Sequence, residues 1–294
     1  MGRRVISRIT PIALLMPSLI LIAAFVVYPL VNAVSLSLRS MLLYRPYVHP
    51  PFVGLENYVR LLRDPDFWNA LRNTVVFTAI VVPVELLLGF VVAMALNSER
   101  LDLGKSLIRT LLLVPMMFTP VVVGILWRML YDSEYGLINF LLRVVGASAR
   151  NWLGSPSTAL ASVIFADIWQ NAPFAMLIFL AGLQSLPREP FEAAQIDGAS
   201  GIQTLLHLTI PMLKPVLLVV LSIRTIDAFR VFDKVFVLTM GGPGVSSETI
   251  ALYAYRIAFR AFDIGYGATI CVIICVILVG VNLIYLGTLG TRIR

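Results

Sequence analysis

Charge is scarce in this 294-residue chain: Asp, Glu, Lys and Arg make up only 13% of it, about half the share of an ordinary soluble domain. With 59% of residues apolar and a mean hydropathy of +0.90, the scarcity excludes a typical soluble enzyme and points to a polytopic membrane protein. Histidine and cysteine are nearly missing, represented by His49, His207, Cys271 and Cys275. The two cysteines stand four apart in a charge-free run, so they share a helix face. No histidine lies near them in sequence to complete a ligand set, and they read as buried, inert thiols rather than a metal site.

Other absences narrow the function. No His accompanies a Cys or Ser in a nucleophile setting, and no H-E-x-x-H pattern occurs, so the chain is poorly supplied for catalysis. The net charge of +7 includes no basic run interleaved with aromatics, which argues against a nucleic-acid partner and for basic loops at a membrane surface. "LDLGKS" at 101–106 ends like a phosphate-binding loop, but Glu99 stands where that motif needs glycine and no buried strand precedes it. "GGPG" at 241–244 reads as a tight turn. No low-complexity tract, tandem repeat or soluble domain is left over, so residues 1–294 read as one transmembrane domain with no cofactor of its own.

Six stretches are long and apolar enough to cross about 30 Å of hydrocarbon. They are 11–38, 73–98, about 108–128 around the charge-free 110–127, 160–183, 213–238 and 264–291. The first follows Arg3, Arg4 and Arg8. It is too long for a signal-peptide core and lacks an A-x-A-like site, so it reads as a retained helix. The fifth is the weakest, since hydropathy alone would end it near Ile223. Pro83, Pro115, Pro120 and Pro173 imply kinks, which membranes tolerate where neighbours satisfy the freed carbonyls. An even number of spans puts both termini on one side, and the three N-terminal arginines assign that side to the cytoplasm.

Charge inside a span is costly unless it is paired or faces a watery cavity. Arg224 and Asp227 are three apart, as are Arg230 and Asp233, so each pair can meet on a helix. Two readings stand open. The pairs are structural braces, or Arg224, Asp227 and Asp233 edge a polar solute path. "ADIWQNAPF" of the fourth span would join that path through Asp167, Trp169, Gln170 and Asn171, which mix hydrogen-bonding groups with an aromatic face suited to a polyhydroxylated solute. Glu85 is equally suited to bonding a neighbouring helix and to touching a solute.

The inner loop 184–212 is too polar to cross lipid. Pro190 suits the first turn of a short helix, which Gly198 ends, and Ser200 suits the cap of a second that Pro211 closes. Phe191, Ala194 and Gly198 share a side, one bulky residue beside two small ones. Glu189, Glu192 and Asp197 are unusual in an inner loop and call for a basic partner rather than an anionic leaflet.

"EAAQIDGASGIQTLLHLTIP" at 192–211 resembles the EAA loop of ATP-binding-cassette (ABC) importer permeases. "FVGLENYVRLL", "LAGLQSLP", "FRVFDKVFVLTMGGP" and "YRIAFRAFDIGYGAT" extend the likeness to carbohydrate-type permeases over nearly the whole chain. The usual closing Ile-x-Leu-Pro reads Leu208, Thr209, Ile210, Pro211. The resemblance implies an all-α fold of the type I ABC importer permease, with six helices in the inner membrane. It implies a coupling loop in which Glu192, Ala193, Ala194, Asp197 and Gly198 dock on a cytoplasmic ATPase. It also implies the partners: a second homologous permease, two ATPase subunits that bind ATP and Mg, an extracytoplasmic solute-binding protein, and membrane lipid. The solute would be a sugar or related polar molecule. The alternative is an ion-coupled secondary transporter using Glu85, Asp167 and Asp227, which would leave the loop unexplained.

Overall fold

The computed structural model describes residues 14–45, 50–98 and 105–290. Arg3, Arg4, Arg8, His49, Glu99, Arg100, the 101–104 part of "LDLGKS", Arg292 and Arg294 lie outside the described residues. The chain is helical with no strand among the described residues; only two isolated bridges occur, Arg39 with Phe52 and Leu42 with Asp263. The helices are α1 (Leu14–Ser37), α2 (Glu56–Leu62), α3 (Pro65–Asn97), α4 (Lys105–Met117), α5 (Pro120–Leu130), α6 (Leu137–Val144) and α7 (Ala159–Gln184). They continue with α8 (Glu189–Ile196), α9 (Gly201–Met212), α10 (Lys214–Phe229), α11 (Asp233–Leu238), α12 (Ile250–Tyr255) and α13 (Ile264–Leu289). Four of these are long and apolar enough to cross a membrane, and six spans result if each bent pair counts as one.

The described residues fall into two compact units, one drawn from residues up to Asp64 with Ala254–Val276, the other from Pro65–Tyr253 with Ile277 onwards. In the first unit, α1 exposes its apolar side chains along its length, as a helix solvated by hydrocarbon does. Asn57 Nδ2 donates to the carbonyls of Ser37 and Arg39. Arg60 pairs with Asp263 at 2.7 Å and lies 4.1 Å from the Tyr266 ring centre, while the Tyr266 hydroxyl donates to Asp64. Cys271 and Cys275 share a face of α13, but that face is exposed rather than buried. An apolar, charge-free run need not point at protein when hydrocarbon surrounds it.

The second unit is built on α3 against α7. Small residues let the two approach: Ala93, Ala159, Ala166 and Ala175 are fully buried, and a Cβ placed on Gly89 would lie 2.6 Å from both the Ala175 Cβ and the Met176 nitrogen. Close backbone approach through small residues is how helices associate where water gives no hydrophobic drive. Phe77, Val81, Val163, Met176, Val220 and Ile250 fill the interior around this seam. Thr74 Oγ1 accepts the Ile250 N–H. Asn69 and Asn73 donate to carbonyls of the 245–248 loop, beside the turn where Gly241 and Gly244 take positive φ.

Three departures from the hydropathy pattern have physical causes. The second apolar stretch becomes a 33-residue helix starting at Pro65, because Pro fits a first turn and Asp66 complements the helix dipole there. The stretch 108–128 is two helices meeting at 96°. Pro120, at a helix start, removes an N–H and forces Thr119 into extended backbone, as a residue before proline prefers. The second loop helix does not stop at Pro211: a π turn at Leu205–Thr209 precedes the proline and takes up its clash with the preceding turn. The chain bends 65° only at the Met212–Lys214 junction.

The seam predicts a local intolerance. Gly89→Ala should destabilise the protein by about 1–3 kcal/mol through overpacking, whereas Gly280→Ala, where an added Cβ meets nothing within 4 Å, should leave stability unchanged. Thermal unfolding midpoints in detergent micelles check the pair.

Candidate solute path and coupling loop

Four charged side chains meet inside the second unit. Glu85 of α3, Asp167 of α7, Arg224 of α10 and Lys234 of α11 are each at most 4% exposed. Arg224 donates through Nε to Glu85 Oε2 at 2.7 Å and through Nη2 to Oε1 at 3.2 Å, a bidentate pair. Its Nη2 also reaches Asp167 Oδ2 at 3.4 Å and its Nη1 reaches Asp227 Oδ2 at 3.4 Å. Lys234 Nζ donates to the other Asp167 oxygen, Oδ1. Two acids and two bases thus balance to zero charge inside the protein. Buried ions demand that balance, because an unmatched one costs several kcal/mol.

The network explains why the fifth span runs past Ile223. Hydropathy treats each charge as if it met lipid, but Arg224 points inward at two carboxylates, so the helix continues to Phe229. It then breaks at Arg230–Phe232 and restarts at Asp233. That break corrects one sequence expectation: Arg230 and Asp233 belong to different helices, so the i, i+3 rule does not apply to them. Arg230 leans back toward Asp227 at 4.0 Å instead. The break also brings Lys234 to Asp167.

Beside the network lies a cavity of about 280 Å³ whose wall includes Asp167, Gln170, Asn171, Arg224, Asp227 and Asp233, together with Arg230, Phe232 and Lys234. The structure therefore brings together six of the seven sequence candidates. Trp169 is not among them. It sits on another face of α7, in a 470 Å³ apolar pocket, with its ring 5.7 Å from Trp127. One position along a helix turns a side chain by about 100°, which separates Trp169 from Gln170. Phe232, ring-stacked on Phe236, is the aromatic group on the cavity wall. Gln170 donates to the Phe118 carbonyl at 2.8 Å, satisfying the backbone where α4 breaks from α5. Asn171 bonds back to the Asp167 carbonyl at 3.2 Å.

Lys234 was not legible from the sequence as part of the site, and Glu85 was ambiguous. A signal was available: Lys234 is itself a cation inside the 213–238 stretch, and a charge within a span needs a partner.

The 184–212 loop forms its own site. Pro190 lies in the first turn of α8, and α8 closes by bonds from Ala199 N–H to Ala194 C=O and from Gly198 N–H to Gln195 C=O. That C-terminal motif needs a left-handed residue, supplied by Gly198 at φ +73°. Ser200 then caps α9 in a reciprocal pair with Gln203. Glu192, Ala193, Asp197 and Gly198 are exposed, Ala194 half-buried. Glu192 and Phe191 also line a 730 Å³ hollow between the loop and the end of α3. Ile196 and Ile202, 87% and 71% exposed, stand on either side of the corner. Large aliphatics in a polar loop were the overlooked signal for this surface.

The network predicts a coupled stability effect. Arg224→Met leaves Glu85 and Asp167 without their shared cation and should cost about 3–5 kcal/mol. Adding Glu85→Gln should recover more than about 1 kcal/mol of that loss, read as unfolding midpoints of the single and double variants.

The sequence profile of the family described as "binding-protein-dependent transport system inner membrane component" matches residues 85–289. The trehalose/maltose transport system permease protein MalF of Thermococcus litoralis is 38% identical over 273 residues, covering 93% of this chain and 91% of that protein. The sulfoquinovosyl glycerol transport system permease protein SmoG of Agrobacterium fabrum is 35% identical over 289 residues, covering 97% and 92%. A chain from the crystal structure of a bacterial ABC transporter involved in the import of the acidic polysaccharide alginate superposes with a TM-score of 0.84. It covers 99% of each chain at 21% identity, a likeness of fold. With its helical architecture, apolar spans and profile match over most of its length, the chain belongs to the family of ABC importer permeases, the inner-membrane components of binding-protein-dependent transport systems.

Proposed function

We propose that this chain forms half of the import path for a sugar or related polar solute and is driven through its inner loop. A second, homologous permease completes the path, and an extracytoplasmic binding protein delivers the solute. Two cytoplasmic ATPase subunits bind ATP and Mg, so the chain itself performs no chemistry. Both termini lie in the cytoplasm. Relatives named for trehalose/maltose and sulfoquinovosyl glycerol transport support a sugar-like solute.

The observation that carries the coupling is the helix–glycine–helix corner at Gly198. Nothing lies within 4 Å of a Cβ placed on Gly198 or Gly201, so another protein's backbone can come close. Ile196 and Ile202 offer apolar anchors beside it, and Glu189, Glu192 and Asp197 offer a rim for basic groups. An apolar centre with a polar rim is the usual anatomy of a docking surface. Glu192, Ala193, Ala194, Asp197 and Gly198 carry the contact. ATP-driven closure of the ATPase pair then shifts the permease between two access states.

The ion-coupled alternative fares poorly on geometry. Of its proposed ion sites, Glu85 and Asp167 are already engaged by Arg224 and Lys234, and Asp227 is shared by Arg224 and Arg230.

Co-reconstitution of the chain with its paired permease, ATPases and binding protein should give uptake that requires ATP. Gly198→Asp and Ala194→Arg should lower that uptake by about tenfold or more while ATP hydrolysis persists and the complex stays in the membrane. Normal uptake by a well-expressed variant would remove the loop from coupling. Gradient-driven uptake by the chain alone would overturn the importer mechanism.

A further inference from the structure

The 280 Å³ cavity carries information about the charge of what passes it. Its wall holds Asp167, Asp227 and Asp233 against Arg224, Arg230 and Lys234, but these groups are not equally available. Arg224 is held by Glu85, Asp167 and Asp227, and Lys234 by Asp167. Both are buried behind the wall. The groups left exposed on it are Asp227, Arg230 and Asp233, and the Arg230 guanidinium already leans on Asp227. An anion entering here meets two exposed carboxylates, and the single exposed guanidinium is shared with one of them.

A hydroxyl-rich neutral solute meets the opposite situation. Asp227 and Asp233 accept hydrogen bonds from hydroxyls, and Arg230 donates to them. Gln170, 4% exposed, also lines the cavity, with its amide nitrogen held by the Phe118 carbonyl. Phe232, ring-stacked on Phe236, adds an aromatic side chain to the wall. Acceptors outnumber free donors, which suits a molecule that brings O–H groups.

We propose that the cavity admits uncharged, hydroxyl-rich solutes and disfavours acidic ones. This rests on the reading of the cavity as the solute path. Like charge against Asp227 and Asp233 excludes an acidic sugar, while pairing within the wall leaves no full cation for it.

The test uses the complete complex of both permeases, ATPases and binding protein in proteoliposomes. Mass spectrometry first identifies the solute carried by the cognate binding protein, and uptake is then measured for that solute beside trehalose, maltose, glucuronate and glucosamine. Uptake of a neutral sugar with none of glucuronate is the expected result. Import of an acidic sugar overturns the charge selection while leaving a sugar permease in place; import only of amino acids or peptides overturns both. A second measurement addresses the wall directly. Asp227→Asn combined with Asp233→Asn should raise KM for the neutral solute about fivefold or more, with an unchanged unfolding midpoint. Unchanged KM in a folded variant would remove these carboxylates from the path and the proposal with them.

Discussion

Arg224 cannot be solvated where it stands, and much of the second unit follows from that constraint. A guanidinium almost closed off from solvent must find its negative charge inside the protein. Glu85 on α3 and Asp167 on α7 supply it, in part as a two-pronged pair. Two acids exceed one base, and Lys234 on α11 restores neutrality. For Lys234 to arrive, the helix carrying Arg224 has to break at Arg230–Phe232 and restart. That break opens the wall of the cavity and leaves Asp227, Arg230 and Asp233 exposed along it. The buried charges brace the helices, and the exposed ones beside them face the cavity.

The 184–212 loop connects to this arrangement through covalent structure. It joins the end of α7, which carries Asp167, to the start of α10, which carries Arg224. Asp167 lies seventeen residues before the end of α7, about 26 Å of helix rise, and Arg224 lies ten residues into α10. A push on α8 and α9 is thus applied to the two helices whose charges meet at the network. Close packing makes such elements switch between discrete arrangements rather than bend continuously. The Gly198 corner, closed by hydrogen bonds from Gly198 and Ala199, keeps the loop helices in a fixed relation.

Much of this was legible in the residues. Charge scarcity and six apolar stretches gave the membrane class, and the EAA-like segment gave the family. Gly198 and Ser200 marked the loop's two helix ends because each residue type has one dominant reason to sit there. The misreadings have separate causes, the first being that one-dimensional spacing assumes an unbroken helix. Arg230 and Asp233 looked paired until the chain broke between them. Trp169 looked like part of the site because its neighbours are, although its side chain leaves α7 in another direction. Lys234 escaped notice because its partner lies 67 positions away. Cys271 and Cys275 looked buried because apolarity means burial in water but not in hydrocarbon.

The account depends on Asp167 and Lys234 acting as one neutral pair that holds α11 beside α7. Exchanging their charges tests this most directly, by measuring ATP-driven uptake in proteoliposomes for Asp167→Lys, Lys234→Asp and the double variant. The account predicts that each single change abolishes uptake, since each leaves like charges buried together, and that the double variant regains part of it, limited by the cation it places beside Arg224. Singles that transport normally, or a double variant that folds and assembles yet transports no better than the singles, would contradict it.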